Sequence, residues 1–367
     1  MKLKIEKNTL IAGVNIVSRA IPGKTTMPIL QCILVDASTE RIKLIANDTD
    51  LGIETMIDGA IEEHGIIAIS ADIFSNIVRK LPDGIVTLST DEEKVKIQCE
   101  KANFNIMGKD GGEFPHLPEI DKSYGIEISQ FTLKDVIART IFSISTSESN
   151  KIMTGELFEI INNSLRVVAL DGHRISIRTV ELKQSYDNRK VIIPGKTLSD
   201  ISKILPGDME KSVHIYFTER HALFEFDETI VVSRLIEGEY FKVDQMISGD
   251  YMTHVHVNRQ ELLSSLDRAT LLVKEEDKKP IILKIQDDSV QLKINSTLGS
   301  MNEVISIEKE GEDLNIGFNP KFMIDAIRVI DDEEIDIYLL SQRAPAFIRN
   351  DKTYCYLVLP VNFIDID

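Results

Sequence analysis

Three short stretches of this 367-residue chain hold side chains suited to chemistry. Asp171-Gly172-His173-Arg174 sets a carboxylate, an imidazole and a guanidinium together, the residue types of a hydrolytic site. Asp-Gly is also the strongest short hairpin signal, and no cysteine, serine elbow or second histidine stands nearby to complete a nucleophilic site. Pro194-Gly195-Lys196-Thr197 matches the end of a phosphate-binding loop. That motif needs a glycine five positions before Gly195, where Lys190 stands, so the stretch reads as a helix start. His254 and His256 share one strand face without a third ligand. Cys32, Cys99 and Cys355 are odd in number, far apart and in no metal spacing, which reads as reduced thiols of a cytoplasmic protein. No catalytic residue, metal or cofactor is expected.

The elements that carry these stretches repeat. A short apolar strand, a polar cap and a helix start occur at 67–74, 192–198 and 316–323. Aligning Ala71, Gly195 and Pro320 gives spacings of 124 and 125 residues, a period that points to three similar domains. The divisions fall at 1–124, 125–248 and 249–367, with turn-rich linkers over 111–124 and 237–252. Each domain reads as the same half used twice: strand, helix, then three strands. Six helices are expected, over 7–20, 72–81, 132–143, 196–205, 258–272 and 320–330, with Asn8 or Thr9 capping the first. In the middle domain, strands are expected at 156–161, 165–170, 175–181 and 191–193. The fold class is α+β with antiparallel sheets. The start, Met-Lys-Leu-Lys-Ile-Glu, lacks an apolar signal region, and no apolar run approaches a membrane span. The charged runs at 274–279 and 331–334 read as solvated loops.

Charge is segregated. The chain carries −17 overall, which argues against nucleic acid. The six expected helices nevertheless hold two basic residues each and sum to +6, leaving −23 elsewhere. Helices gathered on one side of the sheets would make a basic surface on an acidic body, suited to a phosphate backbone read without sequence.

The repeat pattern resembles the bacterial DNA polymerase III beta subunit family, the sliding clamps, over the whole chain. The motifs that carry the resemblance are Lys24-Thr-Thr-Met-Pro-Ile-Leu30, Phe114-Pro115, Val168-Ala-Leu-Asp-Gly-His-Arg-Ile175, Ile193-Pro194 and Tyr356-Leu-Val-Leu-Pro-Val361. The resemblance implies a head-to-tail homodimer closed into a ring. Twelve helices would line its hole, sheets would form its outside, and duplex DNA would thread it without sequence preference. It also implies a replicative polymerase and a clamp loader as partners, holding by short motifs in a cleft between the second and third domains. By position that cleft comprises Met153, Leu170, Gly172, His173, Arg174, Ile175, Val358, Leu359, Pro360 and Val361. A proline usual on the cleft wall is Phe241 here and a nearby arginine is Gln245, with Met246 beside it. The chain also runs past the usual end as Asn362-Phe-Ile-Asp-Ile-Asp367.

The DNA-facing set implied by the resemblance and the helix charges is Lys24, Arg79, Lys80, Lys134, Arg139, Lys151, Lys196, Lys203, Arg259, Arg268, Lys321 and Arg328. A family tyrosine pair is replaced by Lys151-Ile152. Phe104 and Ile106 of one subunit would meet Leu271 and Leu272 of the next. The sequence thus reads as a processivity factor and not an enzyme. A hydrolase built on His173 and Asp171 and a plain protein scaffold are the two competing classes, and only the clamp requires a ring with a hole.

Overall fold

The computed structural model describes residues 1–247, 249–273, 279–350 and 353–363. The expected loop at 274–279, Lys279 excepted, and the tail beyond Phe363 lie outside the described residues. Residues of the first repeat form β1 (Lys2–Glu6), α1 (Lys7–Val17), β2 (Cys32–Ala37), β3 (Ile42–Asn47), β4 (Leu51–Ile57), β5 (Ala60–Glu63), β6 (Gly65–Ser70), α2 (Ala71–Lys80), β7 (Ile85–Asp91), β8 (Lys94–Cys99), β9 (Ala102–Met107) and β10 (Lys109–Asp110). The second forms β11 (Gly125–Ser129), α3 (Gln130–Thr140), β12 (Gly155–Leu170), β13 (Arg174–Pro194), α4 (Gly195–Ile204), β14 (Ser212–Phe217), β15 (His221–Phe226) and β16 (Thr229–Arg234). The third forms β17 (Thr253–Asn258), α5 (Arg259–Thr270), β18 (Ile281–Gln286), β19 (Ser289–Ser296), β20 (Gly299–Ser306), β21 (Glu308–Gly311), β22 (Leu314–Phe318), α6 (Pro320–Arg328), β23 (Glu334–Leu339), β24 (Ala346–Asn350) and β25 (Tyr354–Val358).

The three signature stretches are the junctions β6–α2, β13–α4 and β22–α6. Local chemistry explains the helix starts. Asn258 accepts from the Glu261 amide at 3.0 Å, and Asn319 accepts from the Lys321 amide at 3.0 Å ahead of Pro320. The first helix departs from expectation. Its cap is Glu6, which accepts from the amide of Thr9 at 3.0 Å and also takes the Thr9 hydroxyl at 3.3 Å. Arg19 then falls in a 3-10 turn, Ser18–Ala20, after the helix. In α2, Asp72 stands in the first turn and Arg79 and Lys80 in the last, matching the helix dipole.

By contacts the chain divides into two compact units. One is Met1–Leu133 with Ser199–Leu235, the other Lys134–Leu198 with Ile236–Asp367. The first unit holds a five-stranded sheet, β5-β1-β7-β8-β9, and a nine-stranded sheet, β10-β6-β2-β3-β4-β16-β15-β14-β11. The β4–β16 pairing joins strands of the first and second repeats, from Thr55 opposite Thr229 to Leu51 opposite Ser233. The second unit holds a seven-stranded sheet, β12-β13-β25-β24-β23-β17-β21, and a four-stranded sheet, β20-β19-β18-β22. There β13 pairs with β25, again joining two repeats. The pairings are antiparallel, so one sheet face can pack on helices while the other meets water.

The middle repeat differs most from its sequence reading. The four short strands expected between 156 and 193 are two long ones, β12 and β13, whose ladder is irregular only between Ile160 and Ser164. Side chains bridge that irregularity. Asn188 accepts from the Asn162 amide at 3.1 Å, and Asn163 donates to Glu181 at 2.9 Å. Backbone pairing therefore continues through polar residues that lack any apolar pattern. In the third repeat, α5 and α6 bury Leu262, Leu263, Leu266, Met323, Ile324 and Ile327 in a core shared with Tyr356 and Val358 of β25. Within the described residues, no helix is long and apolar enough to cross a membrane.

Candidate functional site

Asp171-Gly172-His173-Arg174 is the tight connection between β12 and β13, closed by Leu170 opposite Ile175. Gly172 takes φ +90°, the left-handed region that favours glycine. One Asp171 oxygen accepts from the amides of His173 (2.9 Å) and Arg174 (3.2 Å), and the other accepts from Arg174 Nε at 3.0 Å. The carboxylate is spent on holding the turn, and His173 stands exposed, 6.1 Å from the ring of Phe322. The hairpin reading holds, and nothing in the turn is set up as a nucleophile and base.

The turn opens onto one face of the seven-stranded sheet. Cross-strand register places Leu170, Ile175, Leu357, Phe347, Tyr338 and His254 in a single row. The chain from Ile236 to Ile247 lies over the apolar end of that row. Ile236, Tyr240 and Val243 pack with Leu157, Val168, Leu170, Ile175, Ile177, Leu357 and Phe347, and Met153 and Ile247 are half-buried beside them. The Tyr240 hydroxyl donates to the Val168 carbonyl at 3.1 Å, and Arg166 bonds to Asp244 at 2.6 Å, so the covering segment is fixed at two points. Phe241, Gln245 and Met246 are exposed on it, with Met246 53% exposed, and Leu359 is exposed after β25. The result is a shelf of apolar side chains with a partly open, apolar rim, suited to an aliphatic or aromatic anchor.

Two of the expected cleft residues point elsewhere. Successive side chains of a strand alternate faces, so Leu357 joins the row and Val358, fully buried, joins the core around α5 and α6. Arg174 faces that same side. Its guanidinium bonds to Asp325 of α6 at 2.8 Å and to Asp171, and lies 4.3 Å from the centre of the Phe322 ring. Burial opposes its charge, yet Asp325 and Asp171 more than offset this and hold its pKa above the ordinary value. Arg174 therefore supports the turn from behind and does not line the shelf. Leu357, Phe347, Tyr240 and Val243 are the lining residues that sequence reading missed. Alternation counted from Ile175 through its partner strand would have exposed the first.

Most of the basic set is exposed. Lys24, Lys80, Lys151, Lys196 and Lys321 are exposed, and Lys134 is half-buried. Arg79 is exposed but donates to Asn15 at 2.9 Å. Lys203 lies 3.7 Å from Asp200, Arg259 donates to the Asp332 carbonyl, Arg268 pairs with Glu303, and Arg328 lies 3.4 Å from Asp267. Arg139 is a correction. It is 9% exposed and bonded to Asp135 (2.6 Å) and Asp331 (2.7 Å), so its charge is neutralised inside the unit and not offered to a ligand. Asp331, one of those partners, lies in the loop expected to be solvated and its side chain is 91% exposed.

Phe104 and Ile106 lie on β9, an edge of the five-stranded sheet. Leu271, 77% exposed, and half-buried Leu272 follow α5. Exposed Val304 lies on β20, the edge of the four-stranded sheet. His254 and His256 both bond to one oxygen of Asp336, at 2.7 and 2.9 Å, which raises the His256 pKa. No group of three or more His, Cys, Asp or Glu among the described residues can hold a metal, and the three cysteines are free.

Comparison with known proteins settles the family. Models of the DNA polymerase III beta subunit match in three consecutive blocks: the N-terminal domain at 1–118, the central domain at 127–242 and the C-terminal domain at 244–362. The chain belongs to the DNA polymerase III beta subunit family. A beta sliding clamp of Bacillus subtilis is 36% identical over 376 residues, covering 98% of this chain and 99% of that protein. A crystal structure of a putative DNA polymerase III beta subunit from Eubacterium rectale superposes with a TM-score of 0.95 at 61% identity, covering 99% of both chains. The crystal structure of the Bacillus subtilis DNA polymerase sliding clamp gives 0.94 at 35%, covering 99% of this chain and 100% of that one. The fold is thus the α+β clamp fold. The chain is a DNA sliding clamp, a non-enzymatic processivity factor.

Proposed function

We propose that this clamp works as a head-to-tail homodimeric ring that encircles duplex DNA and tethers the replicative polymerase during replication. In this reading the chain has three domains, 1–124, 125–248 and 249–367, with helices toward the DNA and sheets outside. Exposed Lys24, Lys80, Lys151, Lys196 and Lys321 would meet phosphates, together with Arg79, Lys203, Arg268 and Arg328, which are exposed as well. Contact with a phosphate backbone needs charge without base readout. The apolar edge around Phe104 and Ile106 would meet Leu271 and Leu272 of the partner, a heterologous contact that closes only at the right rotation. Work on replicating DNA, with clamp loader and polymerase as partners and free thiols throughout, suits the cytoplasm.

The observation that carries the partner site is the row Leu170–Ile175–Leu357–Phe347 under its Ile236–Ile247 cover, with an exposed apolar rim. A polymerase or loader segment would seat an apolar side chain there, beside Met153. Titrating a fluorescent peptide from the tail of the replicative polymerase tests this. Met153→Ala should weaken binding by roughly 1–3 kcal/mol, and deleting 360–367 should abolish it while leaving the dimer intact. Equal affinity for parent, Met153→Ala and the truncation would refute the site.

A further inference from the structure

After β25 the chain is tied by its backbone to two other elements. The Leu359 amide donates to the His173 carbonyl at 2.8 Å, and the Val361 amide donates to the Gly317 carbonyl at 2.8 Å. Pro360, between them, has no N–H to give. The rim segment is thus slung between the β12–β13 turn and β22, the open edge of the four-stranded sheet. Beyond it, Phe363 sits on a residue without a side chain. A Cβ on Gly317 would stand 2.7 Å from Phe363 Cδ1 and 2.8 Å from the Val361 carbonyl oxygen. Both lie closer than real Cβ atoms approach other groups. Gly317 pairs with Ile282, and Ile282 with Lys293. These neighbours, with Asn302, Asn362 and the Phe363 ring, border an open cavity of about 540 Å³. The ring therefore occupies the room that any larger residue at 317 would take, on a strand edge otherwise left unpaired.

We propose that Phe363 is a positioning residue for the partner cleft. Its ring, seated on Gly317, holds Leu359–Val361 where a bound peptide meets that rim. The inference rests on the reading that the cleft takes a peptide, but Phe363 itself lies on the four-stranded sheet and need not touch the peptide. Two backbone bonds alone leave a short segment free to fray. The ring adds a third tether; a methyl group on Gly317 displaces it and also presses on the Val361 backbone, whereas Phe363→Ala removes the ring alone.

The test pairs two measurements on the full-length dimer: affinity for the fluorescent polymerase-tail peptide, and hydrogen exchange at the Val361 amide. Phe363→Ala and Gly317→Ala should each weaken the peptide about 5-fold or more. The double variant should be no weaker than Gly317→Ala alone, because that methyl already unseats the ring that Phe363→Ala removes. Phe363→Leu, which keeps an apolar anchor, should bind within about 2-fold of the parent. Val361 exchange should quicken about 10-fold in both alanine variants, while β22 core amides and the thermal midpoint stay put in Phe363→Ala. Additive losses, parent-like affinity in both alanine variants, or unchanged Val361 exchange would overturn the proposal. If the parent itself does not bind the peptide, the cleft reading fails instead. Val361 exchange then still decides whether Phe363 tethers the rim, an unchanged rate overturning it.

Discussion

Glu156 of β12 is fully buried, and neither carboxylate oxygen has a hydrogen-bond partner among the described residues. The Thr140 hydroxyl gives partial relief, but its proton is committed to the Val136 carbonyl at 2.8 Å. Burial without a partner penalises the charged form and pushes the Glu156 pKa well above its usual 4.5. The native side chain therefore keeps a proton that the unfolded chain releases just above that usual value. The folded state binds more protons over this window, so stability falls as pH rises, by about 1.4 kcal/mol per pH unit until the native carboxyl ionises. Glu156→Leu removes the ionisable group. In urea melts at a series of pH values from 5 upward, its advantage over the parent should grow by about 1.4 kcal/mol for each unit. Glu156→Gln should show the same growing difference from a lower starting value, because it buries an amide that cannot ionise. A gap that does not change with pH would mean that Glu156 is solvated or paired in the native protein, and would refute the reasoning.

Arg174→Met leaves Asp171 and Asp325 facing an apolar side chain, and should destabilise the protein by about 3–5 kcal/mol; adding Asp325→Asn should recover part of that loss in the same melts, and full additivity would show that the two residues are not coupled. Leu271→Ala with Leu272→Ala should shift sedimentation toward monomers at low concentration, by up to about 2–5 kcal/mol for each leucine buried between subunits; a double variant as dimeric as the parent would remove these residues from the interface.

Much of this fold was legible because each repeat writes strand, cap and helix in local chemistry. Asn319-Pro320 opens α6 wherever it sits, and Asn258 caps α5. The β12–β13 ribbon was not legible, since its outer pairs join polar residues through the backbone, which leaves no apolar alternation to read. The turn at 171–174 was legible as a turn, but its arginine was not legible as buried. A guanidinium looks like a surface charge until Asp325, 151 residues away, is folded against it. Arg139 misleads for the same reason, its partner Asp331 lying 192 residues on. The family resemblance marks Tyr356–Val361 as a motif, yet position alone does not say which of Leu357 and Val358 faces the shelf. That follows from the register with β13, a tertiary fact.

The central claim is that the clamp holds DNA by topology and not by affinity. The exposed lysines face a chain of net charge −17, so direct binding to a short linear duplex should be weak and should fall further as salt rises. The decisive measurement loads the clamp onto a nicked circular DNA with its clamp loader and follows retention by gel filtration in high salt, before and after one restriction cut. Retention on the circle in high salt, followed by loss once the circle is cut, is the predicted result. Loss from the intact circle in high salt, or retention on the linear product with open ends, would contradict it.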